Sequence, residues 1–255
     1  MISTLEKKIT LRFLKARKKD GFLNVISIFS FIGISLGVAV LIIVMSVMNG
    51  FRTELINKIV GFNAHITVQP YESEIKIKNI EKSDIRFISK NLILSNSGEA
   101  IILKKGNSKG IVLRGYQSKD FKNLNVIKND NLIGNSQKLE KNFISIGKEL
   151  SSILDVKIGD QLTIMSSTSI ETIIGSLPKK KTFIISSLFE SGLLEFDSSI
   201  AFINLDTLEE LFNLDKNKRN LEIYLKNPQK IEKQKFIVQK NFPNEFVYSW
   251  SDMNS

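Results

Sequence analysis

GFLNVISIFSFIGISLGVAVLIIVMSVMNGF, residues 21–51, contains no charged side chain, and Asp20 and Arg52 bound it on either side. Phe, Leu, Ile, Val and Met dominate these 31 residues. A bilayer core about 30 Å thick needs about 20 apolar helical residues to cross it, so the run spans with length to spare. Seven basic residues (Lys7, Lys8, Arg12, Lys15, Arg17, Lys18 and Lys19) precede it. A signal peptide shares the basic start, but its apolar core is only about 7–15 residues and ends at a small-residue cleavage site. Here the run is longer and leads into Ser46-Val-Met-Asn-Gly-Phe51 with no A-x-A-like pattern. With no cysteine in the chain, no thiol can carry a lipid. A buried helix of a soluble domain rarely lacks charge for this long. The reading is an uncleaved transmembrane helix.

Charge sets its direction. Basic residues crowd the N-terminal side, whereas the other side offers Arg52 and Lys58, offset by Glu54. By the positive-inside rule the N-terminus is cytoplasmic and the chain beyond about Gly61 lies outside the cytoplasm. Much of the formal net charge of +10 sits in the leader, where anionic headgroups attract it. No basic stripe is interleaved with aromatics, which argues against nucleic acid as a partner. The expected organisation is a basic leader over 1–20, a transmembrane helix with an outward extension over 21–62, and an outer domain over 63–255.

Two readings of the helix stand side by side. It is a tether, or it packs against other helices. Gly33 and Gly37 form a G-x-x-x-G pair, Ser46 and Gly50 repeat the small-residue spacing, and such spacing lets helix backbones approach closely in lipid. Asn24, Ser27, Ser30 and Ser35 add polar groups toward the cytoplasmic half.

The outer domain alternates in the manner of strands at 64–69, 100–103, 110–114, 161–165, 183–189, 199–203 and 221–225. Helical patterns fall at 147–154, 205–212 and 229–240. For the second, Asp206 is the expected N-cap with Glu209 as its capping-box partner. The Asn- and Lys-rich stretch 122–141 reads as a loop. Strands mixed with a few helices predict an α+β fold, here one N-terminal transmembrane helix followed by a mixed α/β extracytoplasmic domain. Without cysteine, its stability rests on an ordinary apolar core rather than disulfides.

The usual catalytic constellations are missing. One histidine, His65, and no cysteine cannot build the common zinc sites, and His65 reads as a structural or surface side chain. There is no G-x-x-x-x-G-K-[ST] phosphate loop, no G-x-S-x-G elbow and no Ser–His–acid set. Glu209 and Glu210 read as the solvated face of an amphipathic helix. No catalytic residue, metal or cofactor is assigned to this chain, and it does not read as an enzyme.

Several stretches together resemble the permease subunits of the bacterial lipoprotein-releasing (Lol) ABC transporter, the LolC/LolE family. They are Leu11-Arg-Phe-Leu14, Ile32-Gly-Ile-Ser-Leu-Gly-Val38, Ser46-Val-Met-Asn-Gly-Phe51 with Glu54-Leu55, Ile146-Gly-Lys-Glu-Leu150 with Gly159-Asp-Gln-Leu162, Gly175-Ser-Leu-Pro178, Phe189-Glu-Ser-Gly192 and Phe196-Asp-Ser-Ser-Ile-Ala-Phe202. The resemblance runs the length of the chain in order, and SVMNGF is its most specific part. It implies a periplasmic core domain of the macrolide-exporter (MacB-like) type and the N-terminal half of a permease, the family adding three more membrane helices after it. The implied setting is the inner membrane of a Gram-negative bacterium, with the main domain periplasmic.

The implied function is extraction of lipoproteins from that membrane and their transfer to a periplasmic carrier. Implied partners are a cytoplasmic ABC ATPase, on which ATP and Mg are expected, a second permease subunit (identical or different), the lipoproteins, the carrier and membrane lipids. Implied acyl-chain lining is Val40, Val44, Val47, Met48 and Phe51, Met suiting variable chains because it is flexible and polarizable. The other reading of these residues is plain lipid-facing or helix-packing surface. The segment Ser167–Lys181, expected as a loop between strands, resembles a carrier-docking hook. Ile173, Ile174, Gly175, Leu177, Pro178 and Lys179 would form it, with Lys180 and Lys181 adding steering toward an acidic partner. Its other reading is a plain hairpin connection. Rival functions are an efflux or signalling permease of the same fold, and a single-span periplasmic binding or sensor protein.

Overall fold

Thirty-one residues without a charge grow into one unbroken helix. In the computed structural model, which describes residues 3–14, 21–71, 74–75, 77–80, 83–104, 106–128, 132–135, 139–172 and 175–252, it runs from Gly21 to Phe62. At 1.5 Å per residue its 42 residues span about 63 Å. This helix, α2, is preceded by the short helix α1 (Thr4–Leu14). Two units form by contact, Met1–Ile56 and Asn57–Ser255, so the last turns of α2 belong with the second. Within the first unit the apolar side chains from Val25 to Phe51 are exposed, as a membrane-crossing helix requires. Two of the polar side chains settle onto the helix's own backbone. Ser46 Oγ donates to Ile42 O (2.8 Å) and Thr53 Oγ1 to Asn49 O (2.9 Å).

The second unit is built on ten strands. These are β1 (Ile66–Gln69), β2 (Ser89–Lys104), β3 (Asn107–Tyr116), β4 (Leu132–Gly134), β5 (Phe143–Gly147), β6 (Gln161–Thr172), β7 (Gly175–Phe189), β8 (Ile200–Asn204), β9 (Asn220–Leu225) and β10 (Phe246–Ser249). Interleaved are helices α3 (Ile77–Ile80), α4 (Asp84–Ile88), α5 (Ser118–Phe121), α6 (Asn125–Lys128), α7 (Lys148–Leu154), α8 (Leu194–Ser199), α9 (Leu205–Phe212) and α10 (Ile231–Asn241). The α+β class expected from the pattern is the class observed.

Pairing follows a ring. β2 pairs with β3, β3 with β8, β8 with β5, β5 with β7, β7 with β6, and β6 returns to β2. The interior is filled by alternate residues of these strands, among them Ile102, Leu113, Ile144, Ile146, Leu162, Ile164, Phe183, Ile185 and Ile203. α7 and α9 add Leu150, Leu154, Leu208, Leu211 and Phe212 to the same core. Closure leaves the strands of the ring without exposed edges, and β10 and β4 are the strands left at the ends of the sheet.

β2 is long enough to serve two partners on one edge. Ser89–Ser95 pairs with β9, and Ala100–Leu103 pairs with β6. From β9 the sheet continues through β1 to β10. α3, α4 and α10 take part in a separate core there, including Ile66, Val68, Ile85, Leu221, Ile223 and Val238. At the partner change, Gly98 leaves room for Phe212, whose ring atoms would lie 2.7 Å from any Cβ placed there.

Several local expectations are corrected. α9 is capped by Asn204, whose Oδ1 accepts from the backbone N–H of Asp206 and Thr207 (3.1 and 3.4 Å), not by Asp206. Glu209 is not on the solvated face. Arg219 takes both its oxygens (2.7 Å each), Asn96 donates a third bond, and the carboxylate is buried. A forked guanidinium outcompetes a single backbone N–H for that carboxylate. The stretch 122–141 is not all loop, since it contains α6 and β4, and Leu124, Val126, Ile127 and Leu139 are buried.

Candidate functional site

The stripe on α2 follows from helix geometry alone. At about 100° per residue, Val40, Val44, Val47, Met48 and Phe51 fall within about 100° of arc, and Gly33 and Gly37 fall on the same stripe. An uninterrupted helix is what keeps them aligned. All five larger residues are half or more exposed, and a Cβ on Gly33 or Gly37 would meet nothing within 4 Å. Ser46 and Gly50 lie on a different face. The helix therefore presents a smooth N-terminal half and a ridged apolar C-terminal half on one side.

The Ser167–Lys181 segment is a correction in form. It is not a loop. β6 and β7 run on beyond the barrel as a two-stranded ribbon, with Ser169 opposite Pro178, Ile170 opposite Leu177, Glu171 opposite Ser176 and Thr172 opposite Gly175. The alternating Ser, Thr and Ile content suits a pleated ribbon. Between Met165 and Ser169 the register slips, four steps on β6 facing two on β7. Ser166 Oγ closes this bulge by donating to Thr168 O (2.8 Å). Pro178 sits just past the bulge, where a strand tolerates a missing N–H. Gly175 has φ +119°, a backbone region that favours glycine, and it opens the return strand.

Gly175, Ser176, Leu177 and Pro178 are exposed, Leu177 by half. Ile173 and Ile174, expected in the hook, lie outside the described residues. Lys179 is turned inward. Its Nζ donates to Glu210 O (2.8 Å), placing a cation at the C-terminal end of α9 where the helix dipole favours one. Lys181 lies over the Phe183 ring (5.7 Å), while Lys180 is exposed. A cleft of about 360 Å³ runs between this ribbon base and α9, lined by Pro178–Lys181, Thr207, Glu210 and Leu211. Along β7 the exposed tip and the Phe189 end are about 46 Å apart at about 3.3 Å per residue. Phe189 packs near Phe62, the last residue of α2 (6.1 Å between rings).

His65 is structural. It is buried, its Nδ1 accepts from Leu225 N (2.8 Å), and burial pushes its pKa down, so the ring is neutral. Among the described residues no group of three or more His, Asp or Glu could hold a metal. Sequence reasoning missed one cluster, formed by Arg114, Tyr116, Glu222 and Tyr224. Its only trace is charge within otherwise apolar strands, at Arg114 in GIVLRGY and Glu222 in NLEIYL.

A helix of membrane-crossing length feeding a mixed α/β barrel domain with a projecting ribbon defines the class of protein. Residues 27–239 match the MacB-like periplasmic core domain, and the chain belongs to that family. It is similar to the lipoprotein-releasing system transmembrane protein LolC of Xylella fastidiosa strain Temecula1, at 28% identity over 221 residues (84% of this chain, 53% of that protein). It is likewise similar to LolC of Neisseria meningitidis serogroup B, at 28% over 234 residues (89% and 55%). LolE of Haemophilus influenzae matches at 31% over 170 residues (62% and 40%). The chain thus spans about half the length of the LolC proteins it matches. Among solved structures, the periplasmic region of MacB from Actinobacillus actinomycetemcomitans aligns at TM-score 0.45 and 9% identity, over 78% of this chain and 94% of that one.

Proposed function

We propose that the chain is a permease subunit of an ABC transporter that extracts lipoproteins from the inner membrane and hands them to a periplasmic carrier. The observation that carries the reading is the projecting ribbon with its exposed Gly175–Pro178 arm, in a chain similar to LolC over most of its length. The tip lies at the opposite end of β7 from the packing of Phe189 against Phe62, which suits a ribbon reaching for a soluble partner. In this reading the N-terminus is cytoplasmic and the α/β domain periplasmic. A separate ATPase binds ATP and Mg and drives the cycle, and a second permease subunit completes the pair. This chain carries no chemical step.

The physical task is moving acyl chains. Each buried CH₂ is worth about 0.8 kcal/mol, so a chain of about 14–16 carbons carries about 11–13 kcal/mol. An apolar cleft receives such chains, and Val40, Val44, Val47, Met48 and Phe51 form this subunit's share of it. Gly33 and Gly37 below them suit close helix packing. At the ribbon, Gly175, Leu177 and Pro178 supply the carrier-docking edge. Lys179 holds the ribbon base to α9 and Lys180 steers.

The test is binding of the full chain, in nanodiscs, to the periplasmic lipoprotein carrier of the same organism. A variant with residues 175–178 replaced by Gly and Ser, leaving the Lys179 anchor in place, is run beside it. The expected result is micromolar or tighter binding that the variant loses by at least about tenfold, or about 1.4 kcal/mol. A folded wild-type chain that does not bind the carrier refutes carrier docking. That outcome would favour an efflux or signalling permease, which the MacB-like domain also accommodates.

A further inference from the structure

Where α2 ends, two different kinds of contact hold it to the sheet. The first is apolar. Phe62 lies among Phe196, Phe189 and Phe202, with ring centroids 4.5, 6.1 and 6.1 Å away and all pairs tilted. The second is polar. Arg114 Nη2 donates to Asn63 Oδ1 (2.7 Å), and its guanidinium sits 5.1 Å from the centre of the Phe62 ring. The Arg114 charge also acts on Tyr116, whose hydroxyl donates to Glu222 (2.9 Å). Ser95 Oγ and Tyr224 Oη donate to the same carboxylate (2.6 and 2.9 Å). The cluster borders a small cleft of about 160 Å³, and Tyr116 and Tyr224 are buried. After Asn63 the connector is pinned again, since His65 N donates to Ile223 O and His65 O accepts from Trp250 N (3.2 Å each).

We propose that the Asn63–Arg114 bond fixes the direction in which the last turns of α2, from Asn57 to Phe62, meet the sheet, which makes Arg114 a positioning residue. Apolar burial is non-directional, so tilted phenylalanines hold the helix end in place without fixing its angle. Hydrogen bonds are directional, and a planar guanidinium is pre-organised to hold one geometry. Glu222 is the fixed point because three hydroxyls from three strands (β2, β3 and β9) converge on it. A rotation of the helix end therefore pulls on β3 through Arg114, next to the strands that Glu222 ties together.

The chain has no cysteine, so paired labels go in without background. Spin labels at Asn57→Cys and Ser108→Cys, both at exposed positions of the second unit, report the spread of angles in the full chain in nanodiscs. The wild type is expected to give a single narrow distance distribution. Asn63→Ala and Arg114→Gln should roughly double its width, with Arg114→Lys in between. Asn63→Ala cuts only the helix-side bond, so its thermal midpoint should stay near the wild type, which separates positioning from folding. Wild-type width in Asn63→Ala overturns the inference, as does broadening by Phe62→Leu alone, because the apolar cluster would then set the angle. The width comparison decides the matter whether or not the assembled protein releases lipoproteins.

Discussion

Replacing the buried Gly147 with alanine should damage the domain far more than the same change at a glycine with open space around it. Gly147 ends β5 and caps α7, with φ −67° and ψ 149°, a backbone that any residue adopts. Its requirement is space. A Cβ there would lie 2.5 Å from the carbonyl carbon of Asp197 and 2.6 Å from its Cα. Asp197 cannot retreat easily, since it is buried, its Oδ1 accepts from Ser191 N (2.7 Å) and its own N–H donates to Leu193 O (3.0 Å). Overpacking of a core costs about 1–3 kcal/mol, and a clash with fixed backbone belongs at the upper end, about 3 kcal/mol. For a unit the size of Asn57–Ser255, each kcal/mol moves the midpoint about 2–4 °C, so Gly147→Ala should unfold about 6–12 °C early. Thermal and denaturant unfolding of the full chain in detergent, followed by circular dichroism and the single tryptophan, Trp250, measures it. Gly110→Ala is the control, because a Cβ there meets nothing within 4 Å, and it should stay within about 0.5 kcal/mol of wild type. A Gly147→Ala protein as stable as that control would refute the packing argument.

Three further outcomes are expected. Arg219→Ala leaves the Glu209 carboxylate, 1% exposed, without its main partner, and should cost about 3–5 kcal/mol in denaturant unfolding. Arg219→Ala with Glu209→Leu should recover much of that loss, and no recovery would sink the assignment. Burial lowers the pKa of His65 below 6.5, so the unfolded chain takes up the proton first as pH falls. Its contribution is whole above about pH 6.5 and declines below it, and His65→Gln should flatten the part of a midpoint-versus-pH curve below about pH 6.5. Gly37→Leu touches nothing within the chain, so its thermal midpoint should not move. Weaker co-purification of a second permease subunit would then report helix–helix packing, and unchanged assembly would count against it.

Much of the fold was legible because its signals are local and periodic. The apolar run 21–51 is legible from charge and hydropathy alone and lies within α2, and α7, α9 and α10 fall within a residue or two of their expected ranges. Strand cores were visible where alternation is clean, as in β1 and β9. What stayed hidden depends on partners distant in sequence. β2 was read only at 100–103, because Ser89–Gly98 is too rich in Ser and Asn to alternate, yet pairing with β9 on one edge and β3 on the other makes it a strand. Asn204 was missed as a cap because Asp206 and Glu209 offered a complete local motif. Only Arg219, ten residues beyond Glu209, shows why that motif is not used.

The candidate site divides along the same line. A stripe on a helix is fixed by spacing, so Gly33, Gly37, Val40, Val44, Val47, Met48 and Phe51 share one side of α2 by their positions alone. At the ribbon, sequence located the exposed residues but misjudged the lysines. Three consecutive lysines look like one positive patch, whereas a pleated strand turns successive side chains to opposite faces. Lys179 accordingly reaches the end of α9, Lys181 covers Phe183, and Lys180 remains exposed. All three keep their charge, but fewer ammonium groups are free to pair directly with a partner, and docking at this ribbon should depend more on Leu177 and Pro178 than on salt. Raising the ionic strength should weaken carrier binding only modestly, whereas a binding constant falling steeply with salt would return the lysines to the centre of the interface.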